Sequence, residues 1–120
     1  MLFAALMASV TALAAPTIPA QNCPNATRGS VLIVPQISNG RLQGSLRVTR
    51  LINTLAEIPA ANVSDLNVTN DGLFSFKAKD SKGQDAKVAT ARDSVGRLVV
   101  EVWLKDQGMI GYTCPKSQQR

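Results

Sequence analysis

The chain contains no histidine. That absence removes Ser-His-Asp and Cys-His nucleophilic catalysis, the usual His-containing zinc sites, and the side chain most often used for proton transfer near neutral pH. Aromatic residues are scarce, at 4% of the 120 positions, which is poor material for stacking the bases of a single strand. Only two cysteines occur, Cys23 and Cys114, so no thiolate cluster exists. There is no Gly-rich phosphate loop. Glu57, Asp65, Asp71, Asp80, Asp85, Asp93, Glu101 and Asp106 mostly mark turns and show no spacing that pairs two carboxylates for acid–base work. The reading is therefore a protein with no catalytic residues, no metal and no cofactor. No apolar run approaches the ~20 residues of a membrane-crossing helix.

What is present begins with MLFAALMASVTALAA at residues 1–15. No charged side chain precedes Arg28. The apolar run has the length of a signal-peptide core, and Ala12-Leu13-Ala14 puts small residues where a signal peptidase reads. Pro16 and Pro19 would end any continuing helix. Residues 1–20 are expected to be a signal peptide, cut near residue 14 or 20. A single domain over residues 21–114 and a polar tail over 115–120 follow.

Export changes what the cysteines mean. In an oxidising compartment an even count favours pairing, and two cysteines allow only the Cys23–Cys114 bridge. Such a bridge ties the N-terminal end of the domain to its C-terminal strand. Three N-glycosylation acceptor triplets agree with export: those beginning at Asn25, Asn62 and Asn67. All thirteen basic and eight acidic residues follow the leader, giving a net charge of +5. Such a charge permits contact with nucleic acid, anionic wall polymers or anionic lipid without choosing among them.

Ser30 to Ile37 is β-branched and apolar, and Pro35 predicts that this strand lies at an edge or carries a bulge. Asn39-Gly40 is a turn. From Arg41, apolar residues at Leu42, Leu46, Leu51, Ile52, Leu55 and Ile58 gather mostly at three- and four-residue steps. That spacing predicts an amphipathic helix of about four turns, ended before Pro59. The stretch after Ala61 reads as five short strands. Asn70-Asp71-Gly72, the 80–84 segment, the 93–96 segment and Asp106-Gln107-Gly108 are the turns between them. The strand from Arg97 to Lys105 carries apolar residues on both faces and is expected to be covered on both sides. Simple pairing through the 93–96 turn sets Val88 opposite Glu101, which a bulge would undo. The expected fold class is α+β: one helix packed on an antiparallel meander of about five strands, with an N-terminal edge strand.

An early helix, a following antiparallel sheet and a disulfide joining the chain ends resemble the fungal guanyl-specific ribonucleases and the ribonuclease-like secreted effectors of plant-pathogenic fungi. The leader wording TALAAP is similar to ascomycete secretory leaders. The resemblance implies a scaffold without ribonuclease chemistry. Glu101 with Arg97 or Arg92 stands at strand positions of that kind, and no histidine accompanies them. The same order of elements resembles the cystatin fold of secreted cysteine-protease inhibitors, although Gln84-Asp85-Ala86-Lys87-Val88 and mid-strand Trp103 depart from its inhibitory motifs.

Together these readings lead to an expectation of a secreted, non-catalytic, effector-like binding protein acting on a host or cell-wall macromolecule. A cystatin-like protease inhibitor and an RNA-binding pseudo-ribonuclease are the alternatives. The partner is expected to be a host protein, RNA or wall polymer, met by a monomer outside the cell or after delivery into a host. Lys77, Lys79, Lys82 and Lys87, gathered by the 80–84 hairpin, are the candidate surface for an anionic ligand.

Overall fold

The computed structural model describes residues 16–25 and 29–116. Most of the leader, Ala26 and Thr27 of the first acceptor triplet, and residues 117–120 of the tail lie outside them.

The chain forms eleven strands among the described residues: β1 (Gln21–Asn25), β2 (Ser30–Val34), β3 (Ile37–Ser38), β4 (Arg41–Leu42), β5 (Leu46–Arg50), β6 (Asn53–Ile58), β7 (Val63–Val68), β8 (Phe74–Lys79), β9 (Asp85–Arg92), β10 (Leu98–Leu104) and β11 (Gly108–Thr113). They make a four-stranded sheet in the order β1-β2-β5-β6, a five-stranded meander in the order β11-β10-β9-β8-β7, and the small β3-β4 hairpin. Every strand pair is antiparallel. One hydrophobic core takes Leu32, Val34, Leu46, Val48 and Ile58 from the first sheet. Phe74, Phe76, Val88, Val100, Val102 and Tyr112 enter it from the second. The fold is an all-β sandwich.

The helix expected over residues 41–58 is instead β4, β5 and β6, and the fold class is all-β, not α+β. Leu46 and Val48 alternate with Arg47 and Thr49, and this two-residue period is the one the tertiary structure uses: Leu46 and Val48 are buried while Arg47 is exposed. Leu51 and Ile52, which completed the helical stripe, stand at the exposed tip of the β5-β6 hairpin. The edge position expected for Ser30–Ile37 is also corrected. β2 pairs on both sides, with β1 and β5. Pro35 falls just past its last residue and interrupts no ladder. The edge strand is β1, where Pro24 needs no second partner for its missing N–H.

A covalent seam closes one side of the sandwich. Cys23 on β1 and Cys114, just past β11, form the disulfide, 91 residues apart in sequence. Asn25 Nδ2 donates to the Gly111 carbonyl, and Ser30 Oγ donates to the Tyr112 hydroxyl oxygen across the same seam. On the opposite side a 3-10 turn at Ala60–Asn62 carries the chain from β6 to β7. There the Ser81 N–H donates to the Glu57 carbonyl, and Asn62 Nδ2 to the Lys79 carbonyl.

The meander's turns share one design. In the 80–84 turn the Asp80 N–H donates to Gln84 O, the Gly83 N–H donates to Asp80 O, and Asp80 Oδ1 accepts from the N–H groups of Lys82 and Gln84. Asp93 repeats that pattern with Val95, Gly96 and Arg97. Gly83 and Gly96 sit at φ +82° and +86°, the left-handed position that closes a three-residue hairpin loop with a bulge. The extra bulge residue sets the β9-β10 register. Val88 lies opposite Val102, and Glu101 lies opposite Ala89 on the solvent side. The carboxylate therefore never enters the core.

Candidate functional site

The outer face of the five-stranded sheet is uncovered among the described residues, contrary to the two-sided cover expected for β10. Leu98, Val100, Val102 and Leu104 point into the core, while Val99 and Trp103 are half-buried on the other face and Glu101 is exposed. The register lines up three rows across the strands. The first is Ser64–Lys77–Lys87–Trp103–Met109. The second is Asn67–Ser75–Ala89–Glu101–Gly111. The third is Ala91–Val99–Thr113.

The first row is tall and the second is low. Ser75, Ala89 and Gly111 make a floor with little or no side chain, and Glu101 is the one long side chain standing in it. The step down from the first row to the second makes a shallow, one-walled trough that crosses the sheet. A depression of about 250 Å³ lies among Lys87, Ala89, Glu101, Trp103 and Met109. A second of about 340 Å³ continues it over Ser75, Lys77 and Lys87 toward Asp65. Asp65, at φ +54°, sits in the β7 irregularity between Ser64 and Asn67.

Three of the four candidate lysines, Lys77, Lys79 and Lys87, stand on the exposed face of β8 and β9. Lys77 and Lys87 are directly opposite each other on β8 and β9 and exposed on the trough wall. The Lys87 ammonium lies 5.6 Å from the centre of the Trp103 ring, within cation–π range. Lys79, in the adjacent row of the same face, is ion-paired: its Nζ donates to Asp85 Oδ1 at 2.6 Å, and that hydrogen bond holds the Asp85 carboxyl below its ordinary value. Lys82 sits in the 80–84 turn, away from the rows. The bulge that sequence reasoning weighed against simple pairing is the arrangement found, and it keeps Glu101 out of the core; Met109, Ser75 and Gly111 were not singled out from the sequence. The two-residue alternation of Val99, Glu101 and Trp103 marks them as one face, but only the bulged turn shows which face meets water.

Gly111 is not a packing requirement, because a Cβ built there meets no atom within 4 Å. Its effect is to keep that end of the trough low. Asn67, exposed and opposite Ser75, stands at the other end.

The trough has the parts of a binding surface: an indole and a thioether for apolar contact, two ammonium groups, one carboxylate, and hydroxyl and amide groups for hydrogen bonds. Among the described residues no group of three or more His, Cys, Asp or Glu lies close enough to hold a metal ion, and no helix is long and apolar enough to cross a membrane. Comparison of the chain with known protein families, curated proteins and solved structures finds no match. The helix on which the likeness to ribonucleases and cystatins rests is three strands here, so neither likeness carries the functional argument.

Proposed function

We propose that the protein is an exported, non-catalytic binding protein whose outer sheet face takes a linear cell-wall polysaccharide. The observation that carries this reading is the trough itself. A half-buried Trp103 stands beside a floor of Ser75, Ala89 and Gly111 on an otherwise largely polar face, where the fold itself has no need of an indole. A pyranose ring can lay its C–H face on the indole. Glu101 can accept from its hydroxyls, and Lys77 and Lys87 can donate to hydroxyl or acidic substituents. The disulfide is compatible with an extracellular setting and supports the export half of the proposal.

RNA is the second reading, favoured by the adjacent Lys77 and Lys87 beside one aromatic ring. One indole is few for a strand that usually stacks successive bases on several.

Binding to chitin, cellulose, β-glucan and polygalacturonate decides the matter, with Trp103→Ala and Gly111→Leu as variants. The first removes the stacking face. The second fills the trough where the structure has open space. Retention on at least one polymer, cut tenfold or more by each variant at unchanged thermal stability, is the expected result. Retention indifferent to both variants would refute the site. Binding to single-stranded RNA that falls steeply with salt, with no polysaccharide retained, would transfer the trough to the second reading.

A further inference from the structure

The β5-β6 hairpin ends in a feature the trough does not use. Arg50 pairs with Asn53, so the loop is the dipeptide Leu51-Ile52. Their side chains are 90% and 98% exposed, the two most exposed large apolar residues described. Leu51 also holds φ at +56°. Two-residue hairpin loops place Gly, Asn or Asp at such a position, because a side chain bearing a β-carbon is disfavoured there. The hairpin therefore carries a strained leucine and an isoleucine where a pair led by glycine, such as Gly-Asn, would close the turn more easily and keep apolar surface out of water. Neither residue contributes to the core.

The surroundings of the tip choose its occupant. Arg50 adjoins the tip and Arg47 lies three residues, about 10 Å, behind it along the strand, both exposed. Neither is in an ion pair among the described residues, and the nearest carboxylate on the hairpin, Glu57, lies back opposite Arg47. A convex apex with two aliphatic side chains and a cationic collar is complementary to the boundary between anionic headgroups and acyl chains. Such a boundary accepts apolar side chains of any shape and rewards basic ones.

We propose that the Leu51-Ile52 tip is a membrane-contacting element that dips into anionic bilayers, with Arg47 and Arg50 held at the headgroup level. The site is separate from the trough and does not depend on it. Two aliphatic side chains and two arginines give reversible attachment, not anchoring.

Cosedimentation with large unilamellar vesicles tests this, using pure phosphatidylcholine and phosphatidylcholine with about a third phosphatidylserine. The full chain with its disulfide intact should partition onto the anionic vesicles and only weakly onto the neutral ones. Leu51→Gly with Ile52→Asn installs a favoured turn and should keep the fold, yet lower partitioning at least tenfold. Arg47→Gln and Arg50→Gln should each lower it about fivefold. Failure to partition onto either vesicle at low salt would overturn the proposal and leave a protein pocket as the tip's occupant. Anionic binding that survives the tip variant and is lost only with the arginines would overturn insertion in favour of simple surface adsorption.

Discussion

Reducing the Cys23–Cys114 bond is the perturbation whose size the structure predicts best. The bond closes a loop over a separation of 91 residues. The chain-entropy relation gives ~15.6 cal/mol/K for a loop of that size, or about 4.6 kcal/mol at room temperature. Both cysteines are fully buried, so Cys23→Ala with Cys114→Ala adds a small packing loss to that figure. A domain of this size is ordinarily stable by about 5–15 kcal/mol, so the bond carries a large share of the total. The seam is not sulfur alone: the Asn25–Gly111 and Ser30–Tyr112 hydrogen bonds and the shared core still join the two sheets. The expected outcome is a reduced protein that remains folded near room temperature but melts about 20–35 °C lower. Urea titration with and without reductant measures the free energy, and the denaturant slope should rise because the reduced unfolded chain exposes more surface. A loss below about 2 kcal/mol with an unchanged slope would refute the reasoning. It would mean that the unfolded chain is already compact or that the seam's other bonds fix the ends unaided.

Acid should be the sensitive side of the pH range. The carboxyls of Asp71, Asp85 and Asp93 are held below their ordinary 3.8: Asp71 by the Thr69 hydroxyl, Asp85 by Lys79, and Asp93, against its desolvation, by hydrogen bonds from the Arg97 and Val95 N–H groups and the Arg97 guanidinium. Groups lowered on folding add stability that is fully present above their unfolded value and lost as pH falls through the folded one. With no histidine in the chain, melting temperature should be nearly flat from pH 5 to 8 and fall below about pH 4; a step between pH 6 and 7 would contradict this. Leu51→Asn should raise stability by about 1 kcal/mol by relieving the left-handed leucine, read from the urea midpoint. Ile18 is buried and exchanges two backbone hydrogen bonds with Ile37, so if the chain is exported as proposed its mature N-terminus should fall before Ile18, near residue 14 and not residue 20, as intact-mass measurement would show. In a glycosylating host the exposed Asn67 should carry sugar, and Asn25, whose amide is spent on Gly111, should not; glycosidase treatment followed by peptide mapping distinguishes them.

The local chemistry of this protein is legible in its residues. Asn39-Gly40, with both φ values positive, and the Asp-x-x-Gly turns at 80–83 and 93–96 form as turns because their backbone geometry depends on a few adjacent atoms. The Cys23–Cys114 pairing follows from parity once export is assumed, and the alternation of Phe74 and Phe76 against Ser75 and Lys77 follows from strand geometry. Residues 46–58 were not legible because their apolar positions satisfy a helical and a strand period together. β2 settles the choice: it pairs with β5 across the intervening β3-β4 hairpin, an interaction no reading of residues 46–58 alone contains, and β6 then closes the other side of β5. The trough was hidden for the same reason. One bulge residue at Gly96 turns Glu101 and Trp103 outward, and pairing across five strands then sets Lys87, Trp103 and Met109 side by side. Composition determined that histidine chemistry is absent and that the ends can be bridged. Register, a property of pairs of strands and not of any one of them, decided which face is core and which is surface.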